Sequence, residues 1–187
     1  HQLGVDLHWQ SPQTVASVRE RHPQLDWVLD TRGLGAQASL PELRGVRGEV
    51  IRVHAPDVSL SRPTRLLHPR YPLYIAPKPD GVFVIGATEI ESEDLSPASV
   101  RSCMELLSAA YAVHPGFGEA RILEIGVQAR PTLPNNLPRI AEPQPGVLQI
   151  NGLYRHGYLI APAVADAAMA WLTRGARDLA QQWRLCA

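Results

Sequence analysis

Three stretches of the sequence carry side chains suited to binding or polarising a small anion. Arg130 closes the run Glu124-Ile125-Gly126-Val127-Gln128-Ala129-Arg130, and strand alternation puts it on one face with Gln128 and Gly126. A guanidinium can grip a carboxylate through two parallel hydrogen bonds; the plain alternative is a strand-end arginine facing solvent. Tyr74 falls on the face of Ala76 in the run Leu73 to Pro77. There a half-buried strand tyrosine and a ligand-directed hydroxyl read alike. Leu153-Tyr154-Arg155-His156-Gly157 precedes an alanine-rich stretch. A glycine at a helix start leaves the first N–H groups uncovered, which suits an anion or a polarised carbonyl, although an ordinary helix start has the same letters.

Other chemistries find little support. The histidines His1, His8, His22, His54, His68, His114 and His156 include no i, i+4 pair, so a helical metal site is not expected. Cys103 and Cys186 are far apart; they form no CxxC unit and suggest neither zinc nor a disulfide framework, so a reducing cytoplasm is the expected location. There is no GxSxG elbow, P-loop or GxGxxG, and Gly33-Leu34-Gly35 is a lone GxG that an ordinary turn also explains. The acidic group Glu89, Glu91, Glu93 and Asp94 reads as a solvated loop before a cation site. With 18 Lys+Arg against 18 Asp+Glu, the 187-residue chain has no net charge, which argues against nucleic acid or an anionic membrane as partner. No run reaches the roughly 18 consecutive apolar residues of a membrane span. At 45% hydrophobic and 19% charged residues, the chain can bury a core and is not a disordered tail.

The elements that must position these residues follow from periodicity and breakers. Leu3, Val5, Leu7 and Trp9 alternate with polar or small residues, which predicts a strand from the first residues. That abrupt opening at His1 predicts a piece of a longer protein. A short helix is expected over 13–20 after Ser11-Pro12, a strand over 26–30 ending in the Gly33-Leu34-Gly35 turn, and a strand over 49–53. Pro79-Asp80-Gly81 between the runs 72–77 and 82–88 predicts a hairpin. Helix 97–113 should bury Val100, Met104, Leu107 and Tyr111. Strand 121–131 should bury Leu123, Ile125, Val127 and Ala129. A strand over 147–150 and a helix over 157–172 close the chain. This order predicts an α+β fold with a mostly antiparallel sheet and flanking helices.

Four segments, in order, resemble the C-terminal half of the flavin-dependent D-amino-acid oxidase superfamily, and within it the glycine oxidases of thiamine thiazole biosynthesis. They are WVLDTRGLGA (27–36), LRGVRGEVIRV (43–53), LYIAPKPDGVFVIGATEIESED (73–94) and GVQARPTLPNNLPRI with NGLYRHGYLIAPAVAD (126–140 and 151–166). Asp30-Thr31-Arg32-Gly33 stands where the superfamily commonly has Asn-Ala-Thr-Gly, and the amino-terminal dinucleotide fingerprint is absent from this sequence. The resemblance implies remnant strands of an FAD-binding Rossmann-like domain over 1–45, a substrate-binding antiparallel domain over 46–142, and a return to the FAD-binding domain over 143–187.

It also implies roles. Arg130 corresponds to the arginine that grips the substrate carboxylate, and Tyr74 to the tyrosine that assists it. Arg155 corresponds to the residue whose carbonyl nears the substrate amine, with its side chain near the flavin. Gly33 and Gly35 correspond to the turn approaching FAD, while Arg155, His156, Gly157, Tyr158 and Leu159 form the loop under the flavin. Glu89 stands where it could bear on substrate side chains, with no role assigned. The implied protein oxidises glycine or another small amino acid with FAD and O2. It supplies a thiazole synthase downstream, forms a homo-oligomer, and holds its FAD with a missing N-terminal half or a second chain. The competing reading is a truncated, non-catalytic fragment or binding module that keeps the fold without flavin. Because the phosphate-binding turn is absent from these residues, the 187-residue chain alone is expected to show no sub-micromolar FAD affinity on fluorescence titration.

Overall fold

The computed structural model describes residues 4–67 and 73–186. Its larger sheet is built from β2 (Arg44–His54), β3 (Thr64–Leu66), β4 (Leu73–Pro77), β5 (Val82–Gly86) and β6 (Arg121–Thr132), in the order β3-β4-β5-β2-β6, every pairing antiparallel. A smaller sheet sets β1 (Val28–Asp30) parallel to β8 (Val147–Asn151), which pairs antiparallel with β7 (Arg139–Gln144). Four α-helices, α1 (Val15–Arg21), α2 (Val100–Val113), α3 (Gly157–Arg174) and α4 (Asp178–Gln182), and three short 3-10 turns accompany the sheets among the described residues. The expected α+β architecture is what forms.

The hairpin is where turn chemistry places it. Asp80 and Gly81 take positive φ, 61° and 67°, the left-handed geometry a tight hairpin needs, and Tyr74 pairs with Gly86 across it. Pro72 lies outside the described residues. One face of the large sheet, carrying Ile51, Val53, Leu73, Ile75, Phe83 and Ile85, is sealed by Leu106, Ala109 and Ala110 of α2 and by Phe117. Phe83 and Phe117 meet edge to face at 5.3 Å, a favoured aromatic geometry. The small sheet packs Ile140 and Leu148 against Val164, Ala167, Ala168 and Trp171 of α3.

Four expectations are corrected. Residues 4–10 form no strand and are exposed; their alternation finds no partner strand, and residues 1–3 lie outside the described residues. Helix α2 turns Val100, Met104 and Tyr111 outward and buries Ser102, Leu106, Ala109 and Ala110, because small residues let the helix axis approach the sheet closely. Strand β6 is an edge strand whose Leu123 and Ile125 are exposed. A bulge opposite Arg52/Val53 breaks its alternation there, so that Ile122 pairs with Val53 and Glu124 with Arg52, leaving Leu123 unpaired between them. Helix α1 also starts later than expected. Thr14 and Ser17 form a reciprocal capping box, with Ser17 N donating to Thr14 Oγ1 and Thr14 N to Ser17 Oγ.

Under α2, the first half of β2 buries an ion pair. Arg47 and Glu49 are 5% and 1% exposed, and Arg47 donates to Glu49 Oε1 through Nε at 3.0 Å and Nη2 at 2.8 Å. Arg47 also donates to the carbonyls of Asp94 at 2.5 Å and Pro97 at 3.1 Å. Thr88 donates its hydroxyl to Glu49 Oε2 at 3.0 Å and accepts from the Glu49 N–H at 2.9 Å. One buried pair thereby pins the whole 88–97 segment to β2. Burial alone would raise the Glu49 pKa, but hydrogen bonds from Ser102, Arg47 and Thr88 outweigh it and hold the carboxyl below its ordinary 4.5. A lowered native pKa means stability that is complete above the unfolded value and lost as pH falls through the native one.

Glu49→Gln is expected to cost about 3 kcal/mol at neutral pH, the lower end for a broken buried pair, because it removes the buried carboxylate beside Arg47 and leaves that charge only the exposed Asp94 carboxylate at 3.4 Å. The gap to the unsubstituted protein should narrow as the solution is acidified below the ordinary carboxylate range. Urea unfolding midpoints of the two proteins across pH measure both effects.

Candidate functional site

The face of the large sheet opposite α2 has three glycines, Gly48, Gly86 and Gly126, among its residues. Val50, Gly86 and Gly126 lie side by side across β2, β5 and β6, and Gly48 lies opposite Gln128. A Cβ on Gly48 would come within 2.3 Å of Arg130 Nη2, and one on Gly86 within 2.8 Å of the Tyr74 hydroxyl oxygen. These two glycines are therefore the floor on which the Arg130 and Tyr74 side chains lie. Neither was among the residues the sequence pointed to; the available signal was a glycine inside a strand, which marks a close approach from above.

Arg130 is held from below by uncharged partners. Its Nη1 donates to the Arg47 carbonyl at 3.3 Å and its Nη2 to the Thr88 carbonyl at 3.1 Å. Of the five N–H donors of a guanidinium, those two orient it, and its charge is left without a carboxylate among these contacts. Tyr74, 41% exposed, lines a cavity of about 280 Å³ with Arg130, Arg155, His156, Glu89 and Arg65. The structure brings Arg130, Tyr74 and Arg155 together: strands β4 and β6 and the 154–156 turn converge on one cavity.

Arg65 is an addition, and Glu89, which the sequence singled out without a role, joins the lining. Arg155 Nη1 donates to Glu89 Oε2 at 2.5 Å, and the Tyr154 hydroxyl donates to Oε1. Burial acts to raise the Glu89 pKa, but Tyr154, Arg155 and the nearby charge of Arg130 outweigh it and keep the carboxyl ionised below its ordinary range. The same burial and the Glu89 carboxylate raise the Tyr154 pKa, so Tyr154 stays a neutral donor. The rest of the acidic group is spoken for by structure. Glu91 pairs with Arg44, Glu93 accepts from Gly45 N–H and Gln37, and Asp94 pairs with Arg47. Among the described residues no cluster fit to hold a metal occurs, and Cys103 and Cys186 are free thiols.

The remaining predicted residues, Gly33, Gly35, Gly157, Tyr158 and Leu159, do not line this cavity. Gly33 takes φ 57° at the start of a 3-10 turn over Gly33–Ser39. A Cβ there would touch Pro131 at 3.6 Å, and its carbonyl accepts from Asn151 Nδ2 at 2.9 Å. The turn that includes Gly35 is thereby tied both to β8 and to the residue after Arg130. The unusual Asp30-Thr31-Arg32 is an internal pair: Arg32 donates twice at 2.8 Å to buried Asp30, and this, against burial, lowers the Asp30 pKa. Gly157 opens α3 with no side chain capping the helix start. The first-turn amides there lack a side-chain acceptor, and Tyr158 and Leu159 are exposed beside them.

The family model described as "FAD dependent oxidoreductase" (DAO) matches residues 1–171. A putative thiamine biosynthesis oxidoreductase ThiO of Rhizobium etli is 53% identical over 152 residues, covering 81% of this chain and 46% of that protein. The bifunctional protein ThiO/ThiG of Synechocystis is 28% identical over 180 residues, covering 87% of the chain and 27% of that protein. The chain thus spans less than half the length of either. The crystal structure of glycine oxidase from Geobacillus kaustophilus superposes with a TM-score of 0.67 at 26% identity, covering 79% of this chain and 41% of that one.

Gly48→Ala is expected to displace the Arg130 head while sparing the fold, since the atoms a new Cβ meets are the end of a flexible side chain. Affinity for a simple carboxylate should fall about tenfold or more, with the thermal midpoint nearly unchanged. Calorimetric titration with acetate and a melting curve, both on the full-length protein, measure the two effects.

Proposed function

The chain belongs to the DAO family of FAD-dependent oxidoreductases, and from that premise we propose that the protein carrying it oxidises glycine or another small amino acid to the imine. The electrons pass by way of FAD to O2 and give H2O2. The observation that carries this reading is the Arg130 head. It is charged, pre-oriented by two backbone carbonyls, and laid over Gly48 beside the Tyr74 hydroxyl.

Arg130 takes the substrate carboxylate in a bidentate grip, and Tyr74 donates a further hydrogen bond to it. A fixed carboxylate fixes the direction of the adjacent C–H bond, so that orientation is supplied before reaction. Arg155 closes the cavity from the 154–156 turn. The residues present fit FAD. The Gly33–Gly35 turn allows close backbone approach, and the uncapped amides from Gly157 to Leu159 supply donors and a positive helix end for the electron-rich edge of a flavin. FAD held by these residues would supply the two-electron acceptor for the substrate's α C–H bond, with O2 as the final oxidant. The amine loses a proton in the same conversion, and the imine remains. The shared ThiO name of the relatives, and its pairing with ThiG in one bifunctional protein, support a place in thiamine thiazole formation, with a thiazole synthase as the downstream partner.

Arg130→Ala in the full-length flavoprotein is expected to lower kcat/KM for glycine by about 30- to several thousand-fold, the loss of a charge-assisted pair of about 2–5 kcal/mol. Arg130→Lys should restore part of it, because an ammonium cannot reproduce the planar fork. Amines without a carboxylate should lose far less. Steady-state oxygen consumption on glycine and on a simple amine makes the comparison, and equal losses on both would mark Arg130 as structural.

A further inference from the structure

The cavity beside Arg130 contains more positive charge than one carboxylate needs. Arg130, Arg155 and Arg65 all line it, against Glu89 as the carboxylate. Arg65 sits on the short edge strand β3, opposite Tyr74, and is exposed, as are Arg155 and Glu89. Arg130 spends donors on neutral carbonyls and keeps its charge. Arg155 differs, because its guanidinium donates to Glu89 at 2.5 Å, and both oxygens of that carboxylate are occupied, one by Arg155 and one by Tyr154. The cavity, at about 280 Å³, is several times the roughly 30 Å³ that one water occupies in the liquid, so size alone does not confine it to the smallest acid.

Resting on the reading that Arg130 takes the substrate carboxylate, we infer that Glu89 is a specificity-determining residue: by neutralising Arg155 it restricts the site to monocarboxylates. A substrate with a second carboxylate, such as an N-carboxymethyl amino acid or an amino diacid, would have to bring that group against Glu89 to reach Arg155. The like charges repel, which is specificity by an element opposed to the wrong ligand. Tyr154 completes the device. Its phenol holds the Glu89 oxygen that Arg155 leaves, so the carboxylate cannot swing out of the way without losing a hydrogen bond. Removing the negative charge while keeping the side-chain shape should release Arg155 to a second carboxylate.

The test uses the full-length, FAD-loaded protein and two acids it cannot oxidise, acetate and malonate, with binding read from the flavin's visible spectrum. The unsubstituted protein should bind malonate no more tightly than acetate. Glu89→Gln should raise malonate affinity about tenfold or more and leave acetate within about threefold. The double variant Glu89→Gln/Arg155→Met should lose the gain. Glu89→Ser should give the same shift as the amide if glutamine disturbs the Tyr154 contact. Arg130→Ala separates the two ideas. If acetate binding survives it, the reading of Arg130 fails. If acetate depends on Arg130 but malonate does not respond to either Glu89 variant, or if the unsubstituted protein already prefers malonate, the assignment of Glu89 is overturned and the Arg130 reading stands.

Discussion

The buried Arg47–Glu49 pair is the constraint on which the rest of the site depends. A charge pair with almost no exposure adds little net stability, because desolvation consumes most of its attraction. Its effect is positional. Arg47 reaches the carbonyls of Asp94 and Pro97, and Glu49 holds Thr88 at both its N–H and its carboxylate. The Thr88 carbonyl then accepts from Arg130, and Glu89 follows Thr88 in the chain. A pair on the α2 side of the sheet therefore sets the height and direction of groups on the opposite side.

The two faces of the large sheet show how one set of strands serves two purposes. On one, branched and aromatic residues at alternate positions meet α2 and form the core. On the other, Gly48 and Gly86 remove side chains where Arg130 and Tyr74 must lie. A glycine inside a strand weakens it by leaving nothing to pack, and here the space left open is the site. The central position of β2, hydrogen-bonded on both edges by β5 and β6, offsets that loss.

Charge placement follows the same logic. The acidic run after β5 looks like a solvated loop, yet its members are each engaged with a named partner, and Glu89 alone among them lines the cavity with Arg130. The Asp30–Arg32 pair plays a comparable part in the small sheet. It lets a charged variant occupy the turn before Gly33 by satisfying the buried carboxylate locally, with Gln149 of β8 adding a longer contact at 3.5 Å.

What the sequence by itself determined lies at short range. Pro79-Asp80-Gly81 dictated the hairpin because positive φ at two successive residues is a local requirement. Alternation alone put Arg130 on the face of Gly126 and Gln128, a consequence of the two-residue strand period. The helices over 100–113 and 157–174 were legible from their periodicity and breakers to within a few residues. Tertiary structure decided what depends on partners distant in sequence. Helix α2 carries two apolar stripes, and only the sheet beneath it selected the one with Ala109 and Ala110. The bulge at Leu123 arises from a register mismatch with β2 that β6 cannot reveal alone. The terminal alternation of Val5, Leu7 and Trp9 became no strand because a strand needs a neighbour. Glu89 and Arg155 lie 66 positions apart, as an ion pair across a cavity commonly does: it forms where folding brings two charges within a few ångströms, and no spacing in the sequence encodes that distance.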